Sequence, residues 1–256
     1  MSKWGWMMEY CKKNKQNPAD SYFWSKAEKA YFNREIVVIS LFDGISCGLQ
    51  ALKNIGFTNI KYFASEIEPN AIKVSYKNHP EIIRLGDVRT VKVGKGFIES
   101  ENGKWQLGDE NYYQKVDLIL AGSPCQGFSF AGNELNFSDP RSALFFEFVR
   151  IKEEIEQYQG FVDFLLENVR MRKEFEDVIT DYMKTWPVKI NSKAFTAQNR
   201  ERYYWSSFLP TTIYGEKDIK ELGSSPKLLD ILEDKDYKGF WNWPRGYNKG
   251  GTRFVD

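Results

Sequence analysis

From Glu35 onward the chain alternates between two patterns of hydrophobic and polar positions. EIVVISLF is a continuous β-branched and apolar run, as a strand buried on both faces requires. DGISCGLQALKNIGF, directly after it, opens with a glycine-containing turn and continues with a helical period. The pairing then repeats. IKYFASE reads as a second strand, and PNAIKVSYKNHP as a helix with Pro69 in its first turn, where the missing N–H is not needed. IIRLGDV reads as a third strand, VDLILAGSP as a fourth and FVDFLLENV as a fifth. SALFFEFVRIKEEIEQY and RKEFEDVITDYMKTW carry the period of amphipathic helices, and VKINSKAFTAQNRERYYWSSFL reads as two strands around a polar turn. Strands alternating with helices predict an α/β fold of the doubly wound kind, a mostly parallel twisted sheet with helices on both faces.

Three stretches fall outside the alternation. GFIESENGKWQLGDENYYQ has Asn102-Gly103 between alternating residues, which predicts a hairpin on the surface with no chemistry of its own. Residues 1–34 read as an N-terminal extension, with a helix after the cap signal at Asp20-Ser21. After Leu209 the periodicity lapses into sequence rich in Gly, Pro, Trp and charge. The expected organisation is an extension over 1–34, a main domain over 35–209 and an irregular region over 210–256, with Trp241 and Trp243 in the core of the last.

A chain of 256 residues, 42% hydrophobic and 16% aromatic, has enough apolar sequence for one large domain or one with a smaller attachment. No apolar run approaches a membrane-spanning length, and the N-terminus lacks an apolar signal region, so a cytoplasmic location is expected. Cys11, Cys47 and Cys125 are scattered, which argues against a zinc site and against a disulfide framework. The single histidine, His79, sits in SYKNHPE and reads as a solvated turn residue, while Cys47 reads as filler of a small-residue slot. A net charge of +1 neither favours nor opposes nucleic acid.

Ligands of open α/β sheets bind beyond the carboxyl ends of the strands, and there the polar residues of this chain gather. Gly44 and Gly48, in the first turn, allow backbone to approach a ligand and point amides at it. Glu66, at the end of the second strand, can take both hydroxyls of a ribose, and Asp87, after Gly86, can accept from an exocyclic amine. Three consecutive strand ends of this kind suggest a bound adenosine. The fourth strand ends on Ser123-Pro124-Cys125 and the fifth on Glu167-Asn168-Val169; a thiol and a carboxyl group over one pocket suggest a nucleophile and a proton donor. Arg200 and Arg202 alternate along the last strand, so both share the face from which Glu167 could be held.

Taken in order, LFDGISCG, SEIEPNA, GDV, GSPCQGFS, DPRSALFFEF, LLENV and QNRERYYW resemble the DNA (cytosine-5) methyltransferases from residue 36 to about 208. The resemblance implies a Rossmann-like class I methyltransferase fold and transfer of a methyl group from S-adenosylmethionine to carbon 5 of a cytosine flipped out of duplex DNA. By position, Cys125 would be the nucleophile that adds to carbon 6. Glu167 would contact the ring nitrogen and amino group, and Arg202, with Arg200 beside it, would bind the ring carbonyl and orient Glu167. On the cofactor side, Phe42 would lie against the adenine, Glu66 would take the ribose and Asp87 the adenine amine. Ile67 and Val88 would wall the adenine, and Asp43, Gly44, Ser46, Gly48, Ser123 and Pro124 would complete the site. The resemblance implies no metal.

The family pattern continues beyond its Gln-x-Arg-x-Arg strand into a target-recognition region and further motifs, of which residues 210–256 resemble a shortened opening. Three readings follow: the catalytic half of a split methyltransferase completed by a second polypeptide, an inactive truncated remnant, or an enzyme acting alone with minimal specificity. A chain that needs a partner or its missing end is favoured. A related reading, RNA cytosine-5 methylation, is disfavoured because Gly-Phe-Ser after Pro-Cys-Gln resembles the DNA enzymes.

Overall fold

In a computed structural model that describes residues 13, 28–109, 112–124, 143–194, 196 and 198–208, strand β1 (Ile36–Leu41) is buried at all positions and lies inside a seven-stranded sheet. The other strands of that sheet are β2 (Ile60–Ser65), β3 (Ile83–Arg84), β7 (Leu118–Ala121), β8 (Asp163–Asn168), β9 (Val188–Asn191) and β10 (Glu201–Ser206), in the order β3-β2-β1-β7-β8-β10-β9. The first five neighbours run parallel, and β10 is antiparallel to both β8 and β9. The expected doubly wound α/β sheet is present, and its strand order reverses between β1 and β7.

Alternation along β1 sends side chains into two cores. Val37, Ile39 and Leu41 join one cluster, whereas Ile36 and Val38 join the other. Helix α1 (Cys47–Asn54) closes the second through Leu49 and Leu52. Helix α3 (Ala143–Gln159) closes the first with Phe145, Phe148, Val149, Ile151 and Ile155, a stripe at helical spacing. Helix α4 (Lys173–Met183) adds Ile179 and Met183, and the indole N–H of fully buried Trp205 donates to Thr180 Oγ1 at 3.0 Å. Helix α2 (Pro69–Asn78) follows β2, and the Glu68 side chain accepts from the Asn70 amide at its start.

Several expectations are corrected. The third strand is shorter than IIRLGDV, because Gly86 turns the chain at φ +80° and Val88–Thr90 form a 3-10 turn. The hairpin region is a three-stranded antiparallel sheet, β4 (Lys92–Gly94), β5 (Phe97–Ser100) and β6 (Gly103–Gln106). It is docked on the domain: Val93, Ile98 and Leu107 enter the main core, Trp105 packs edge-on against Phe63 at 6.0 Å, and the Val93 amide donates to Glu154 of α3 at 2.8 Å. His79 is buried, because it caps the end of α2 beneath Lys53, whose Nζ lies 3.3 Å from its Nδ1. Cys47 is exposed as the first residue of α1; the buried slot in the turn belongs to Ser46.

The inner end of the N-terminal extension is helical at residues 28–33. Tyr31 and Phe32 pack on Phe57 there, and Arg34 pairs with Asp117 at 2.7 Å. The helix start at Asp20-Ser21, Cys11, and residues 210–256 with Trp241 and Trp243 lie outside the described residues. Among the described residues no helix is long and apolar enough to cross a membrane, and no group of acidic, His or Cys residues could hold a metal ion.

Phe63 joins β2 to both the main core and Trp105, so Phe63→Ala is expected to lower the unfolding free energy by about 3–5 kcal/mol, read as a shifted urea midpoint.

Candidate functional site

Register brings the site together. Ser65, Leu41, Ala121 and Leu166 form one row across four strands, and the next positions along are Glu66, Phe42, Gly122 and Glu167. These lie at the carboxyl edge where the strand order reverses, the place for a ligand in such a sheet.

The turn after β1 holds Phe42, Gly44 and Ser46 at φ of +58°, +59° and +66°, a conformation that non-glycine residues seldom adopt and that is kept when surrounding contacts enforce it. Those contacts are specific. Glu66 accepts from the Gly44 amide at 2.7 Å and from the amides of Ile67 and Glu68 at 2.8 Å each. Beneath the turn, Tyr62 Oη donates to Asp43 at 2.8 Å, Ser46 donates to the same carboxylate, the hydroxyls of Ser46 and Ser75 are hydrogen-bonded, and Arg84 donates to Ser75 at 3.1 Å. Burial, and then the Asp43 charge, push the Tyr62 phenol well above its ordinary range, so it stays a donor. Gly48 has no room for a side chain: a Cβ would lie 2.6 Å from Leu120 and 2.9 Å from Tyr62 Oη. A Cβ at Gly44 would meet nothing within 4 Å, so this side of the turn is open.

Further along the edge, the Asp87 carboxylate accepts from the Arg89 amide at 3.0 Å and from its guanidinium through Nε and Nη2. Val88 is buried in the main core, and Ile67 is 65% exposed.

At the other end of the row, Glu167 lies 2.8 Å from Arg202 Nε and accepts from Arg200 Nη2 at 3.4 Å. The Arg202 contact is an ion pair without hydrogen-bond alignment, since its buried Nε has no hydrogen-bond partner, while Nη1 donates to the Glu201 carbonyl. Tyr204 stands directly across from Glu167, its phenol pushed up by burial and then by the Glu167 charge. A Cβ at Gly122 would sit 3.4 Å from Glu167 Oε2 and 4.0 Å from the Phe42 carbonyl, so this glycine stands between the two halves of the site. Asn168 is buried and donates to Ser123 Oγ at 3.1 Å, tying the end of β8 to the residues that lead through Pro124. Cys125 lies outside the described residues.

Phe42, Asp43, Gly44, Ser46, Gly48, Glu66, Asp87, Ser123, Pro124, Glu167, Arg200 and Arg202 thus belong to one edge of the sheet. Sequence reasoning missed Asn168 as an anchor, although Glu-Asn-Val was noted, and missed Tyr62, Ser75 and Arg89, which no motif marks. Arg89 holds the Asp87 carboxyl below the usual range, chiefly through its hydrogen bonds. A depressed value means the pairing is present above the unfolded-state pKa and is lost as pH falls through the folded one. Arg89→Ala is expected to raise the Asp87 pKa back toward the ordinary aspartate range, read by carboxyl-carbon NMR titration.

The C-5 cytosine-specific DNA methylase family matches residues 36–248. The chain is 32% identical over 225 residues to the type II methyltransferase M.NgoBV of Neisseria gonorrhoeae, covering 78% of this chain and 47% of that protein. It is 31% identical over 228 residues to the orphan methyltransferase M.Rho11sI of Bacillus phage rho11s, covering 80% and 40%. To the type II methyltransferase M.HpaII of Haemophilus parainfluenzae it is 32% identical over 235 residues, covering 86% and 60%. The chain spans about half the length of the curated relatives it matches. Among solved structures, a Spodoptera frugiperda DNMT2 mutant aligns with a TM-score of 0.43 and 22% identity, covering 69% of this chain and 52% of that one. With its matched span reaching from β1 past the last strand, the chain belongs to the C-5 cytosine-specific DNA methylase family.

Proposed function

We propose that residues 35–209 form the catalytic domain of a DNA (cytosine-5) methyltransferase that uses S-adenosylmethionine. The observation that carries this reading is the Glu167 carboxyl group, held by Arg202 against Gly122, three positions before Cys125. Carbon 6 of cytosine is a weak electrophile. It needs a soft nucleophile and proton donation to the ring together, and the Cys125 thiolate with Glu167 would supply both. Addition of sulfur to carbon 6 makes carbon 5 electron-rich; carbon 5 takes the methyl group, then loses its proton as the carbon–sulfur bond breaks. Arg202, with Arg200 beside it, would orient Glu167 and bind the ring carbonyl.

The other half of the edge fits the cofactor: an open turn at Gly44, with the Glu66 and Asp87 carboxylates as acceptors along the same side. Glu66 would take the ribose and Asp87 the adenine amine, with Phe42 and Ile67 along the ring. Bound S-adenosylmethionine would supply the methyl group. The target base would be flipped out of duplex DNA. The curated relatives extend well beyond the matched stretch, which supports completion of the enzyme by a second polypeptide or by further sequence.

Transfer of labelled methyl to unmethylated duplex DNA tests the reading, with tRNA as the competing acceptor and with co-expressed C-terminal sequence as a second arm. Cys125→Ser is expected to abolish transfer, and Glu167→Gln to lower it by about 100- to 10,000-fold. Transfer that survives Cys125→Ser would sink the mechanism, and preferential labelling of tRNA would sink the substrate.

A further inference from the structure

The β4–β6 sheet meets the cofactor edge at its tip. Glu101 and Asn102, the turn between β5 and β6, lie over the end of β3. Glu101 Oε1 accepts from the Asp87 amide at 2.7 Å, and the Glu101 amide donates to Thr90 Oγ1 at 3.3 Å. Asn102 Nδ2 donates to the Arg84 carbonyl at 3.2 Å. Gly86 lies against this contact: its φ of +80° disfavours any side chain, and a Cβ there would meet Glu101 Oε1 at 2.2 Å.

Asp87 is therefore held from two directions. Its carbonyl accepts from the Thr90 amide and hydroxyl, and its carboxylate from Arg89, all within residues 87–90. Its amide is held by Glu101, from a separate sheet. Ser65 Oγ also donates to the Gly86 carbonyl at 2.8 Å and Val88 is packed in the main core, so the turn stays docked without Glu101, but the Asp87 amide loses the bond that orients it. What the loss frees is rotation of the peptide between Gly86 and Asp87, which re-aims the Asp87 side chain, and a hydrogen bond weakens steeply with misalignment.

We propose that this inserted sheet is a working part of the cofactor site, with Glu101 as a positioning residue that aims Asp87 at the exocyclic amine of the adenine and so sets selectivity for a 6-aminopurine. The proposal rests on the reading of Asp87 as the adenine acceptor. Selectivity follows from the chemistry: a carboxylate accepts from the amine of adenine and faces the carbonyl oxygen of a 6-oxopurine without a donor between them.

The test uses the full chain with S-adenosylhomocysteine and its 6-oxo counterpart, S-inosylhomocysteine, by saturation-transfer NMR, with melting temperatures recorded alongside. The wild type is expected to favour the amino compound by about tenfold or more, the scale of one hydrogen bond to a charged group. Glu101→Ala should remove most of that ratio. Glu101→Gln, whose amide oxygen still accepts from Asp87, should retain it, and Glu101→Asp, which keeps the charge but loses the reach, should not. A folded Glu101→Ala or Glu101→Asp with the wild-type ratio would overturn the proposal and leave the cofactor reading standing. Failure of the wild type to bind S-adenosylhomocysteine at millimolar concentration would overturn the cofactor reading, and the proposal with it.

Discussion

The hydrogen-bonded register of β1 between β2 and β7 is the constraint on which the site depends. Leu41 is level with Ser65 on one side and Ala121 on the other, and Ala121 is level with Leu166. Because the side-chain period of a strand is two, a slip of one residue would exchange the two faces. Val37, Ile39 and Leu41 would then face the pocket of Leu49 and Leu52, and Ile36 and Val38 the core of Phe145 and Phe148. Burial on both faces makes every such slip unfavourable, so the row of strand ends, and with it Phe42, Glu66, Gly122 and Glu167, is held by the core rather than by the site.

Each acidic group along the edge is held by a different kind of partner. Glu66 is gripped by backbone amides, Asp87 by a local guanidinium and a distant carboxylate's grip on its amide, and Glu167 by two arginines from β10 and the residues before it. In the proposed roles, amides from the turn itself suit Glu66, which would hold a fixed position against a neutral sugar, and an ion pair suits Glu167, whose proton would be managed during chemistry. Gly122 lies between the two halves, where a Cβ would be in ordinary contact with the Glu167 carboxylate at 3.4 Å.

Under the first turn lies a polar network of Tyr62, Asp43, Ser46, Ser75 and Arg84. Its hydroxyls are buried among apolar neighbours, where a satisfied network stiffens the backbone and an unsatisfied one is costly. It stiffens a turn whose Phe42 and Ser46 have left-handed backbones. The docked β4–β6 sheet does the same for the turn at Asp87 by a different route. This edge is thus assembled from short turns, each braced from outside its own segment.

By itself the sequence determined what depends on local pattern. Apolar runs marked β1, β2, β7 and β8, helical periods marked the layers on either face, and the motifs at strand ends marked Glu66, Asp87, Glu167 and Arg202, because such signals lie within a few residues of each other. What tertiary structure decided was every contact between distant segments. The spacing of Val93, Ile98 and Leu107 does not say that those residues enter the main core, so the inserted sheet read as a surface hairpin. His79 read as solvated because its burial comes from Lys53 and the end of α2, and Cys47 read as filler of a small-residue slot that the fold gives instead to buried Ser46. The hold of Glu101 on Asp87 spans two sheets, and no local pattern records it, since a backbone N–H donates to any acceptor that the fold brings within reach.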